Sequence, residues 1–136
     1  MELLKKTIPV TCAVIRQEDR ILAVQRSRHD PMLPGLWEFP GGKVEPGETE
    51  EACLIREIRE ELELEVEILK RLPDVNWDYG NVLIRMTPFI VRIVTGTMKL
   101  NDHDAFRWMT VADLMSLDWA PADVPVVRGL MSEAGY

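Results

Sequence analysis

The sequence is short of several things, and each shortage excludes something. It has two cysteines, Cys12 and Cys53, in 136 residues. They stand apart, with no CxxC or Cys/His spacing, so neither a disulfide framework nor a zinc site is expected. Both read as reduced core residues. Basic residues are outnumbered: 16 Lys and Arg face 23 Asp and Glu, for a net charge of −7. A chain this acidic is a poor partner for a nucleic-acid duplex or an anionic membrane. No apolar run approaches the roughly 20 residues of a membrane span. Lys5 and Lys6 precede nothing with the character of a signal peptide, so the cytoplasm is the expected compartment. A phosphate loop of the GxxxxGK[ST] type is also missing, because Trp37 stands where its first Gly belongs and Val44 follows Lys43. There is no GxGxxG, HExxH or EF-hand pattern, no internal repeat and no low-complexity tract. A single domain over residues 1–136 is expected.

What is present is an ordinary apolar fraction, 46%, arranged in short runs. Ile8–Arg16 and Arg20–Arg26 read as strands around the polar turn Gln17-Glu18-Asp19. Ser27–Gly35 is a loop broken by Pro31, Pro34 and Gly35, and Leu36–Phe39 is a short strand that Pro40 stops. Strands are expected at Glu65–Leu72, Val75–Tyr79, Val82–Val94 and Ala105–Thr110. The pair flanking Gly80-Asn81 looks like a hairpin, and Pro88 places its second strand at an edge or a bulge. Val111–Ser116 fits a short helix and Val124–Ala134 a last one. The order is mixed α and β, with mostly antiparallel connections.

The chain is organised around Gly41-Gly42-Lys43-Val44-Glu45-Pro46-Gly47-Glu48, a glycine-rich loop that opens into an acidic helix. Thr49 is its expected N-cap, with Glu50 and Glu51 in the first turn. Ten Glu fall between residues 45 and 67. Leu54, Ile58, Leu62, Ile55 and Ala52 form an apolar arc, and Glu57, Glu60 and Glu61 lie roughly opposite. Carboxylates at i, i+3 and i+4 share a face and repel one another. A hard cation that prefers oxygen ligands would relieve the repulsion; a solvated acidic face is the alternative.

The spacing is Gly42, five residues, Glu48, seven residues, Arg56-Glu57-Ile58, one residue, Glu60-Glu61, two residues, Leu64. This resembles the signature of the Nudix hydrolases. WEFPGGKVEPGE, Arg26 and the late DWAPADVP stretch extend the likeness to the MutT-like branch. The resemblance implies an α+β fold, an α/β/α sandwich with a mixed sheet between helices. It implies an enzyme that cleaves a diphosphate bond and, for nucleoside triphosphates, yields monophosphate and pyrophosphate. The implied cofactor is Mg²⁺, with Mn²⁺ as a substitute, held by Glu57, Glu60, Glu61 and the carbonyl of Gly41. Glu57 is the favoured general base, with Asp102 as a late acidic residue that can join the site. Arg56 pairs with Glu48 to orient the ligands. Arg26 and Lys43 are candidate phosphate contacts, and Arg28 is a weaker one. One position departs from the signature. Glu63 stands where the family has a Gly that ends the helix in a left-handed conformation, so a helix that ends differently, or one that carries strain, is expected there.

For the base, the same resemblance points to Phe39 as a pocket wall and Asp123 as an edge contact. Core packing and an N-cap role are their structural alternatives. An ionised Asp only accepts hydrogen bonds, which suits an amino-bearing base such as cytosine. A buried, protonated Asp also donates, which would admit 8-oxoguanine. His103 is one of two histidines and reads as an exposed loop residue, with proton shuttling as the sharper alternative. Two further functions stay open: a Nudix enzyme for another nucleoside diphosphate derivative, and a non-catalytic nucleotide-binding module. The second would be expected to have lost a carboxylate, and all three are present.

Overall fold

A computed structural model describes residues 5–136. Eight strands and two α-helices follow in the order β1 (Lys6–Gln17), β2 (Arg20–Arg26), β3 (Trp37–Glu38), β4 (Gly41–Lys43), α1 (Glu50–Leu62), β5 (Glu65–Arg71), β6 (Val75–Asp78), β7 (Val82–Thr95), β8 (His103–Thr110) and α2 (Val124–Glu133). Short 3₁₀ turns cover Val111–Ser116 and Pro121–Asp123.

The sheet runs β3-β2-β1-β7-β5, with β4 on β1, β6 on β7 and β8 on β2. Its centre is parallel: β1 and β7 pair from Lys6↔Val82 to Arg16↔Arg92. Antiparallel pairs join the other strands to this centre. Both faces are covered, which explains why β1 and β2 read as near-continuous apolar runs. Ala13, Ile15, Leu22 and Val24 pack with Leu54, Ile58 and Leu62 of α1 on one face. Cys12, Val14, Ile21 and Ala23 pack with Val126, Val127 and Leu130 of α2 on the other. Helix, sheet and helix thus form the expected sandwich. Both cysteines are free and buried.

Three expectations change. Val82–Thr95 is a central strand, not an edge, despite Pro88. The carbonyl of Pro88 accepts from Leu72 N–H, so its backbone faces the β5–β6 side. There β6 pairing ends at Met86 and β5 pairing begins at Phe89. The missing N–H therefore falls in the gap between two partner strands, where it costs no ladder bond. Next, Gly41–Lys43 is a strand, paired to Val10–Cys12. Finally, Ala52 is exposed and Cys53 takes its place on the core face of α1.

Helix α1 starts as expected. Thr49 is the N-cap, and its hydroxyl accepts from Ala52 N–H at 3.1 Å. It ends at Glu63, which takes the left-handed conformation (φ 57°, ψ 37°) and donates its N–H to the Arg59 carbonyl. The geometry that favours Gly is kept while the residue is not. Glu63→Gly is therefore expected to stabilise the fold by about 0.5–1 kcal/mol, the left-handed cost less the extra entropy of Gly. A denaturant midpoint unchanged or lowered by this substitution would contradict the strain.

Candidate active site

The site forms where β1 changes partners. At its C-terminal end β1 pairs with β2, and at Val10–Cys12 it pairs with β4. This brings Glu61 in the last turn of α1, the β3–β4 corner and the Pro121–Asp123 turn to one cavity of about 470 Å³. Its walls include Arg26, Glu38, Phe39, Gly41, Lys43, Glu61, Asp102, His103 and Asp123.

Close approach explains the two glycines, to a carboxylate at Gly42 and to a neighbouring backbone at Gly41. A Cβ on Gly42 would lie 2.4 Å from the carboxyl carbon of Glu57, and one on Gly41 would lie 2.0 Å from the Thr11 carbonyl oxygen. Gly41 N–H donates to Glu61 Oε2 at 3.1 Å. Glu61 is 8% exposed, so one third of the expected acid face is in fact interior. Burial, followed by the charges of Glu38, Glu57 and Asp102, pushes its pKa up to about 9. Burial is also the main cause raising Glu57, with Glu60 and Glu48 adding to it and Arg56 opposing.

Arg56 organises the other side. Its Nε and Nη2 donate to the two oxygens of Glu48 at 2.7 and 2.9 Å, a bidentate pair. This pairing pushes Glu48 down to about 2. Nη1 reaches Glu57 at 2.8 Å and Glu60 at 3.3 Å, and Nη2 also donates to the Lys43 carbonyl. Loop and helix are pinned together by one guanidinium. The thiol of Cys53 adds contacts to the Gly42 and Lys43 carbonyls.

The carboxylates are near one another but not gathered into a cage. Among the described residues no three His, Cys, Asp or Glu side chains converge as a ready metal site. Glu57 and Glu60 turn to Arg56, and Glu61 turns to Gly41. The donor chemistry still fits a hard divalent cation. All the groups are oxygens, and Glu61 sits among like charges that a cation would offset.

The remaining candidates divide. Lys43 is exposed, lines the cavity and makes no ion pair among the described residues. Arg26 also lines it, but Asp30 (2.6 Å) and Glu38 (2.7 Å) already engage its guanidinium. Arg28 gives only its backbone N–H, to Asp104. Asp102 is at the cavity, close enough for its charge to act on Glu61. Phe39 is both core and wall: it is 2% exposed and packs on Trp119 at 4.7 Å between ring centroids.

Asp123 is 5% exposed, and its Oδ1 accepts from Phe39 N–H at 3.1 Å. It stands at the N-cap position of α2 but makes no side-chain cap bond, so capping is not its role. Burial, then the charge of Glu38, raises its pKa well above the usual carboxylate range, which favours the neutral acid.

Two residues were misjudged or missed. His103 is no exposed loop residue. It begins β8, its side chain is 4% exposed, and its Nε2 lies 2.8 Å from Glu38 Oε2. Glu38 was not singled out at all, yet it joins Arg26 to His103 and its charge acts on Glu61 and Asp123. The only sequence signal was a charged residue inside the short apolar strand Leu36–Phe39.

Comparison with known proteins gives a consistent picture. The NUDIX domain family matches residues 5–130. A CTP pyrophosphohydrolase of Escherichia coli (strain K12) is 33% identical over 127 residues, 93% of each chain. An 8-oxo-dGTP diphosphatase of the same organism is 26% identical over 125 residues, 92% of this chain and 97% of the relative. Among solved structures, the E. coli ORF135 protein superimposes with a TM-score of 0.85 at 32% identity, covering 96% of this chain and 93% of that one.

Proposed function

Since this chain belongs to the Nudix family of hydrolases, we propose that it is a Mg²⁺-dependent nucleoside triphosphate pyrophosphohydrolase releasing monophosphate and pyrophosphate. (d)CTP, modified dCTP and 8-oxo-dGTP are the substrates in view, and clearing the cytoplasmic nucleotide pool is the role. One observation carries the reading. A single cavity is walled at one part by Gly41, Lys43 and Glu61 and at another by Phe39 and the buried Asp123. That lining supports a reading in which the phosphates lie beside the first set and a base beside the second.

Glu57, Glu60, Glu61 and the Gly41 carbonyl would hold the cation, which neutralises polyphosphate charge and acts as a Lewis acid when bound. For that role Glu57 and Glu60, which meet Arg56, would turn from it toward the cation. Glu57 accepts the proton of the attacking water. The water oxygen bonds to phosphorus as the bridging P–O bond breaks, and the leaving phosphate keeps the electron pair. Arg56 holds Glu48 and the loop in place throughout. Lys43 supplies positive charge to the phosphates, while Arg26 acts through the wall it forms with Glu38 and Asp30. Asp123 reads the base edge: as the neutral acid it offers one donor and one acceptor, which admits either the cytosine or the 8-oxoguanine pattern.

The test is a panel of NTPs, dNTPs, modified dCTPs, 8-oxo-dGTP, ADP-ribose and dinucleoside polyphosphates with Mg²⁺, following monophosphate and pyrophosphate. Turnover of a triphosphate, abolished by chelator and restored by Mg²⁺, is expected. A chain that turns over only ADP-ribose or dinucleotides, or nothing, would overturn the proposal.

A further inference from the structure

The turn that carries Asp123 is tethered from three directions. Ala120 N–H donates to the Trp37 carbonyl at 2.8 Å, and Asp123 takes Phe39 N–H on its Oδ1. Both of these come from the β3–β4 segment. The third tether comes from across the cavity, where Ala122 N–H donates to Tyr79 Oη at 3.2 Å.

Tyr79 sits at the tip of the β6–β7 hairpin and lines the same cavity. The tip is itself fixed. Tyr79 N–H donates to the Val82 carbonyl, and Gly80 N–H donates to Asp78 Oδ1 at 2.7 Å. Asp78 Oδ2 in turn pairs with Lys5 at 2.6 Å. So the backbone that carries the phenol is fixed, and the phenol places its oxygen on the backbone of the residue next to Asp123. The chain separation is 43 residues. None of the Nudix signature positions takes part.

We propose that Tyr79 is a positioning residue for Asp123: its phenol oxygen, by accepting Ala122 N–H, fixes the angle at which Asp123 meets the base, and so sets base selectivity without touching the phosphate chemistry. This rests on the reading of Asp123 as the base contact. Loss of the hydroxyl would leave Ala122 N–H without its acceptor and let the turn shift. A misplacement well under an ångström suffices to spoil a paired donor and acceptor.

The experiment uses the full chain and four proteins: wild type, Tyr79→Phe, Asp123→Ala and the double variant. Binding of CMP, UMP and 8-oxo-dGMP is measured by calorimetry, alongside kcat and KM on the matching triphosphates. In the wild-type background, Tyr79→Phe is expected to compress the ratio between the best and worst nucleotide about tenfold, through KM and with kcat within twofold. In the Asp123→Ala background, which has no side-chain donor or acceptor to position, the same substitution should change that ratio less than twofold, because its effect runs through Asp123. An unchanged ratio in Tyr79→Phe overturns the proposal, and so does an equal loss in both backgrounds, the mark of general loosening. A wild type that hydrolyses triphosphates with no base preference overturns it as well, while leaving the hydrolase reading in place.

Discussion

Glu57→Gln is expected to lower kcat about 10³-fold, within the range general-base removal reaches, while leaving the fold intact. The amide keeps the shape of the carboxylate beneath Gly42, where the structure has no room for a Cβ. It still accepts from Arg56, but it takes up no proton and is a weak cation ligand. Stability should change little, because Glu57 is only half-buried and its charge meets both Arg56 and the opposing Glu60 and Glu48. Steady-state kinetics at saturating Mg²⁺ and a denaturant curve are the measurements. Activity within tenfold of wild type would remove Glu57 from the proton transfer. Glu60→Gln is the companion variant. Glu60 is 59% exposed on its side chain, so a loss there speaks for cation binding with no packing change to confuse it.

Glu61→Gln should act on stability with a sign that depends on pH and on metal. In the fold its pKa is about 9, against an ordinary value of 4.5. The folded chain therefore holds a proton that the unfolded chain releases. Full stability is present below about pH 4.5 and is lost progressively as pH rises toward 9. At pH 7 the metal-free protein forgoes about 3 kcal/mol, from ~1.4 kcal/mol per unit over ~2.5 units. Gln carries no charge, so Glu61→Gln should be about that much more stable than wild type at pH 7 without metal, and level with it at pH 4.5. Added Mg²⁺ should narrow the difference, since a cation that binds only the folded wild type adds stability by mass action. Thermal or urea unfolding at several pH values, with chelator and with Mg²⁺, reads all of this. A difference between the two proteins that is flat from pH 4.5 to 8 would refute the buried, like-charged environment assigned to Glu61.

Both predictions concern residues legible from spacing alone, but their environments were not. Periodicity placed Glu57, Glu60 and Glu61 on one face of α1 and could not distinguish them. The fold makes three different groups of them: one half-buried under Gly42, one exposed, one interior. The difference comes from β4. Its pairing to β1 covers the part of the face where Glu61 points and leaves Glu60 in solvent. A run reading PGGKVEPG carries no strand pattern, so nothing local announced that cover. His103 was misread for a similar reason. A polar Asn101-Asp102-His103-Asp104 run looks like a loop, and only the register Arg26↔His103 draws the imidazole into the wall. Glu38 was passed over because a charge in a two-residue strand has no meaning until its partners, Arg26 and His103, arrive from elsewhere.

By itself the sequence determined the apolar runs that become the two-faced sheet, the capped start of helix α1 and the charges available along it. These depend on local sterics and on periods of two and 3.6 residues, which a single segment carries. The tertiary structure alone decided which carboxylates lose their water and which keep it. It also decided that Arg26 spends its charge on Glu38 and Asp30, and that Asp123 is held by Phe39 and, through Ala122, by Tyr79. Desolvation and partner choice depend on segments that the fold, and not the chain order, brings together.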